Sequence, residues 1–119
     1  MVRNVTYSSR PTRLLAIALI CGWSVFHSVS GAAGGEKAAS HTVMIEGVAY
    51  QPASLVVRRG DTVVWVNKDP FPHTVTARGV FDSRDIPAGA SWKYVARKSG
   101  SYTYICTLHP NMVGTLDVQ

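Results

Sequence analysis

From residue 41 onward the sequence predicts an all-β sandwich of about seven to eight strands. Short β-branched and aromatic runs recur through this part of the chain, Gly, Pro, Asn and Asp break them at short intervals, and nothing has the periodicity of a long amphipathic helix. Strands this short, packed into under 80 residues, bury their apolar faces only by forming two facing sheets.

The strands are expected at 42–46, 54–58, 62–67, 74–77, 91–96, 101–106 and 114–118. Alternation is clearest in two of them. Trp92, Tyr94 and Ala96 share one face and Tyr102, Tyr104 and Cys106 share another, while Lys93 and Thr103 point away, so both aromatic faces are expected to line the core. Arg59-Gly60-Asp61, Ile86-Pro87-Ala88-Gly89 and Lys98-Ser99-Gly100 carry turn-forming residues between consecutive runs. No internal repeat is present.

Ahead of this domain the sequence changes character twice. Residues 1–32 hold Arg3, Arg10 and Arg13 and no acid, then the thirteen-residue apolar run 14–26, then a small-residue stretch around Ser30-Gly31-Ala32. That order is the pattern of a secretory signal peptide, and thirteen residues fall short of the roughly 20 that a membrane-spanning helix needs. Residues 33–40 carry almost no large apolar side chain and read as a flexible leader. Export, cleavage near Ala32 or Ala33 and a mature protein free of the membrane are the expectation.

Charge excludes one class of partner. The chain totals +5, but three of its twelve Lys and Arg precede residue 33, leaving nine against seven acids, a net of +2. With no basic run beyond Arg58-Arg59 and Arg97-Lys98, nucleic-acid binding has no support.

Cysteine usage points elsewhere. Cys21 lies within the apolar run and leaves with the signal, so the mature chain has Cys106 alone and forms no internal disulfide. A single thiol is either a small buried hydrophobe or a metal thiolate, and its neighbours choose between these. In Cys106-Thr107-Leu108-His109-Pro110-Asn111-Met112 a thiolate, an imidazole and a thioether recur every three residues directly after a strand. The sheet fixes the Cys, and a tight loop folds the other two back over it, with Pro110 restricting φ and removing an N–H.

Two histidines and a cysteine with a weak axial methionine form the ligand set of blue-copper electron-transfer centres. The second histidine is His73, set between the stiff Pro70-Phe71-Pro72 segment and the run 74–77. His27 lies in the signal, and His41, at the start of the first strand, reads as solvated. One copper ion on His73, Cys106, His109 and Met112 is therefore the expected cofactor. Zinc suits Cys and His as well, but the methionine favours copper.

These residues give the chain a family resemblance. Over residues 41–119 it is similar to the small blue copper proteins, the cupredoxins of the plastocyanin, pseudoazurin and amicyanin type. Besides the ligand run, the resemblance rests on Val64-Trp65-Val66-Asn67, six residues ahead of His73, and on Gly100-Ser101-Tyr102-Thr103-Tyr104 leading to Cys106. The short ligand loop is most similar to that of amicyanin, from which it departs at Leu108 and Asn111.

The resemblance implies a cupredoxin-like Greek-key β-sandwich and a small soluble monomer, located in the bacterial periplasm, that shuttles electrons. It implies that Asn67 ties the His73 segment to the Thr107 region. It also implies that electrons pass through the edge of His109, within an apolar docking patch that includes Pro70, Phe71, Pro72, Pro110 and Asn111. The partners implied are redox proteins such as a dehydrogenase, a c-type cytochrome or an oxidase, met in transient contacts. An enzyme is disfavoured: Ile105 and Thr107 stand where a multicopper cluster places histidines, and Met112 closes the position a catalytic metal keeps open. The remaining alternative is a periplasmic copper carrier or resistance protein that does not transfer electrons. Against it, the mature chain lacks a methionine- or histidine-rich tail.

Overall fold

The structure, a computed structural model, describes residues 34–119; the signal-peptide assignment, with Cys21 and His27, lies outside them. Nine strands follow in chain order: β1 Ser40–Ile45, β2 Tyr50–Gln51, β3 Ser54–Val57, β4 Thr62–Asn67, β5 Thr76–Ala77, β6 Phe81–Asp82, β7 Ser91–Val95, β8 Gly100–Ile105 and β9 Val113–Val118. They make a four-stranded sheet, β2-β1-β4-β7, and a five-stranded one, β3-β9-β8-β5-β6. Both sheets are mixed. β1 runs parallel to β4 and β3 parallel to β9, whereas the other pairs are antiparallel. Parallel neighbours cannot be joined by a tight hairpin, so the chain reaches them by passing between the sheets.

Alternation decides what each strand buries. Val43 and Ile45 of β1 and Val63 and Trp65 of β4 point inward, opposite Tyr104 of β8 and Leu116 and Val118 of β9. Trp65 is fully buried, with the rings of Phe81, Trp92 and Tyr104 at centroid distances of 6.0, 5.5 and 5.5 Å. Such tilted and edge contacts add about 0.5–1.5 kcal/mol each beyond the area they bury. Trp92, Tyr94 and Tyr102 pack against this core while remaining partly exposed.

The strand registers put the loops at two ends. Ile45 lies beside Asn67, Val66 beside Ser91 and Ile105 beside Val113, so the loops 46–49, 68–75, 83–90 and 106–112 gather at one end. At the other end Asp61, buried in the turn before β4, accepts N–H groups from Ala39 at 2.8 Å and Arg58 at 3.1 Å.

Three sequence expectations need correction. β1 starts at Ser40, inside the segment read as a leader, because Thr62 donates its N–H to the Ala39 carbonyl and Asp61 takes the Ala39 N–H. The run 74–77 shortens to Thr76–Ala77, since Thr74 and Val75 direct their N–H groups to the Cys106 sulfur and the Ser83 hydroxyl. His41 is not simply solvated: its Nε2 lies 2.8 Å from Asp61 Oδ2. β2 and β6 escape a sequence reading because two residues carry no periodicity.

Candidate metal centre

Two loops at the same end supply the donor atoms. After β4 the chain runs through Asn67-Lys68-Asp69-Pro70-Phe71-Pro72 to His73, whose backbone is fixed by a reciprocal bridge: its N–H donates to the Ile86 carbonyl at 3.2 Å and its carbonyl accepts from Ile86 at 2.7 Å. After β8 the loop folds back tightly. His109 N–H donates to the Cys106 carbonyl, Met112 N–H to the His109 carbonyl and Cys106 N–H to the Met112 carbonyl, at 3.2, 2.8 and 3.1 Å. The every-third-residue spacing is thus realised as two successive turns, and the backbone of Met112 returns to Cys106.

Cys106 Sγ lies 3.7 Å from Nδ1 of His73 and 3.7 Å from Nδ1 of His109, and all three donor atoms fall within 4.8 Å of one another. These separations test the fit to a metal. First-row ions such as zinc bind thiolate at about 2.3 Å and imidazole at about 2.0 Å, so two such donors 120° apart are about 3.7 Å from each other. Both sulfur-to-nitrogen separations are therefore those of a thiolate and an imidazole that share one ion. Cys106 and His73 are fully buried, Met112 is buried and His109 is half-buried.

Hydrogen bonds hold two of these side chains, His73 and Cys106, in place. Asp69 Oδ2 lies 2.8 Å from His73 Nε2. A carboxylate only accepts, so Nε2 carries the ring proton and Nδ1 keeps its lone pair toward the sulfur. Burial, the largest influence on Asp69, favours its neutral form, but N–H donors from Val48 and Gly47 and the His73 contact outweigh it and hold the carboxyl below the usual range. Thr74 donates its N–H to Cys106 Sγ at 3.3 Å and accepts the Tyr50 hydroxyl on its carbonyl at 2.6 Å. Burial raises the Tyr50 phenol well above its ordinary range, with the charges of Cys106 and Tyr104 adding to it, so it remains a neutral donor.

Asn67, fully buried, donates its side-chain amide to the carbonyls of Phe71 and Ile86 and accepts the Asp69 N–H. It ties down the His73 segment, and none of its hydrogen bonds reaches Thr107. Thr74 makes that link, with its Oγ1 accepting the Thr107 N–H at 2.8 Å and lying 3.0 Å from the Thr107 hydroxyl. Phe71 packs on both imidazoles, at 5.2 Å from His73 and 5.7 Å from His109, and remains 38 % exposed. Pro70, Pro72, Pro110 and Asn111 are exposed, as is Leu108.

Sequence reasoning misses Asp69, Thr74 and Tyr50. Asp69 stands four residues before His73, yet in a proline-rich loop that spacing implies no contact, and Tyr50 reaches the site only through folding.

A two-sheet β-sandwich that closes over one thiolate, two imidazoles and a methionine defines the class of small proteins built around a single soft-ligand metal centre. Residues 14–118 match the Cupredoxin-like domain, and the chain belongs to that family. Among relatives, it is 30 % identical to a plastocyanin of Scenedesmus fuscus over 90 residues, covering 60 % of this chain and 88 % of that one. It is 31 % identical to an amicyanin of Paracoccus versutus over 94 residues, covering 74 % and 71 %. A solved Cu(I) structure of a single-site mutant of amicyanin superimposes with a TM-score of 0.64 at 29 % identity, over 67 % of this chain and 82 % of that one. A copper-containing nitrite reductase from Thermus scotoductus gives the same TM-score and identity, but the match spans only 22 % of its chain.

Proposed function

We propose that this protein is a small blue copper electron-transfer protein carrying one electron at a time on a single copper ion held by His73, Cys106, His109 and Met112. The observation that carries the reading is the pair of 3.7 Å separations between the Cys106 sulfur and the two Nδ1 atoms. When bound, copper would supply a one-electron Cu(II)/Cu(I) couple whose potential would respond to Met112 and to hydrogen bonding at the Cys106 sulfur.

The residues around the centre suit fast transfer. Cys106 and His73 are anchored by backbone hydrogen bonds to Met112 and Ile86, so the ligands reorganise little when charge changes. Burial of Cys106, His73 and Met112 excludes water from most of the site. Only the half-buried His109 gives an edge toward solvent, among Phe71, Pro72, Pro110 and Asn111. We read this patch as the docking face for redox proteins, a dehydrogenase, a c-type cytochrome or an oxidase, in small contacts that release after each turnover.

The protein is read as a carrier and not an enzyme, because four protein ligands leave no position for substrate and the nitrite reductase match covers a minor part of that chain. Export to the periplasm as a monomer, with residues 1–32 removed, belongs to the same reading. Among the described residues no helix is long and apolar enough to cross a membrane.

The test is to load the purified protein with Cu(II). An intense blue colour, bleached by a one-electron reductant and absent in Cys106→Ser, is the expected result; copper bound in a pale, tetragonal form would sink the assignment.

A further inference from the structure

We propose that Asp69 is a positioning residue that sets the potential of the centre, its carboxylate gripped by the turn between β1 and β2 and its other contact holding His73 for the metal. This rests on the copper reading above. Three donors converge on the one side chain: Gly47 N–H on Oδ1 at 2.8 Å, Val48 N–H on Oδ2 at 2.9 Å and His73 Nε2–H on Oδ2 at 2.8 Å. The Asp69 N–H is itself held by Asn67 Oδ1 at 3.0 Å.

The turn is shaped for this. Gly47 and Val48 have φ of 63° and 57°, which aims two successive N–H groups into one concavity, the form that binds anions. Glycine adopts that region freely, but for the β-branched Val48 it is a strained outlier that the surrounding contacts have to over-determine. Val48 is 41 % exposed, so no apolar packing explains its place. The hairpin turn closed by the Glu46 N–H on the Ala49 carbonyl at 3.1 Å requires positive φ at both positions, and the carboxylate takes the two N–H groups that this turn presents.

A buried carboxylate is a costly way to orient a ring when a backbone carbonyl would serve. What it adds is a fixed negative charge one imidazole away from a donor atom. That charge, and the extra basicity it gives His73, favour the more positive oxidation state of the metal. The ionised Asp69 therefore lowers the potential, and the β1–β2 turn, remote in sequence from every ligand, takes part in setting it.

The experiment compares wild type, Asp69→Asn and Asp69→Glu, each copper-loaded, by redox titration. Asn keeps the shape and removes the charge. It is expected to keep the blue spectrum while shifting the Cu(I) over Cu(II) preference about tenfold toward Cu(I), a rise of about 59 mV for a one-electron couple. Glu, which keeps the charge, is expected to stay nearer wild type. An Asn variant that is blue and has the wild-type potential overturns the proposal. Should Asn fail to fold, nitrogen NMR of metal-free wild type still decides it: His73 protonated on Nε2 supports the contact, and His73 protonated on Nδ1 overturns it. A wild type that never turns blue fails the copper reading instead, and the NMR result is independent of that outcome.

Discussion

At the scale of single residues, Tyr104 and Gly114 show how tightly the core behind the centre is fitted. They stand directly opposite in the β8–β9 pair, and a Cβ on Gly114 would lie 2.3 Å from Tyr104 Cζ and 2.6 Å from Cε2. The tyrosine cannot yield. Its ring is 1 % exposed and faces Tyr50 at 4.7 Å and Trp65 at 5.5 Å. Gly114→Ala is thus an overpacking change, expected to cost about 1–3 kcal/mol. For a domain of this size that lowers the unfolding midpoint by roughly 4–8 °C per kcal/mol. Calorimetry of the metal-free variant checks it, and an unchanged midpoint would mean that the Tyr104 ring has room to slide.

At the scale of elements, the two ligand loops show what a sequence discloses and what it hides. The loop 106–112 is legible because its three chemistry-bearing residues are close in sequence and its turns are local. His73 is found because few histidines compete for the role. The hydrogen bonds of Asp69, Thr74 and Tyr50 are illegible: they depend on loops that the parallel β1–β4 pairing brings together across long sequence separations. The same loops form the exposed face. Phe71 and Leu108 are 38 % and 48 % exposed, and Phe71 lies against His109. If this face is where electrons pass, a charge placed on it is repelled when two copies meet. Pro110→Glu and Phe71→Glu are expected to slow electron self-exchange roughly tenfold or more, since like charges brought together cost several kcal/mol. The visible spectrum of Pro110→Glu is expected to stay unchanged. Exchange rates from NMR line broadening that match wild type in both variants would place the port elsewhere.

At the scale of the whole molecule, the metal centre occupies one end of the sandwich and a separate polar clamp closes the other. Asp61 joins the start of β1 to the turn before β4, taking N–H groups from Ala39 and Arg58 and facing His41 Nε2 at 2.8 Å. The Ala39 N–H, the His41 contact and the Arg58 N–H, in that order, lower its carboxyl from the ordinary 3.8 to about 2, against a smaller opposing effect of burial. A carboxyl more acidic when folded than when unfolded stabilises the fold above its unfolded value, and that contribution disappears as pH falls through the folded one. Between pH 3.8 and about 2 the wild-type protein is expected to lose stability as the clamp is protonated. Asp69 adds to the same acid limb, since its carboxyl is lowered too. Asp61→Asn is therefore expected to be less stable at neutral pH and to fall less steeply across that window, without becoming flat. The comparison is of thermal midpoints of the metal-free proteins against pH. Because the clamp lies away from the ligand loops, the copper-loaded Asp61→Asn protein is expected to keep the wild-type spectrum at neutral pH. Midpoint curves that run parallel in the two proteins would show that Asp61 is as readily protonated in the fold as out of it, and that some other group closes this end.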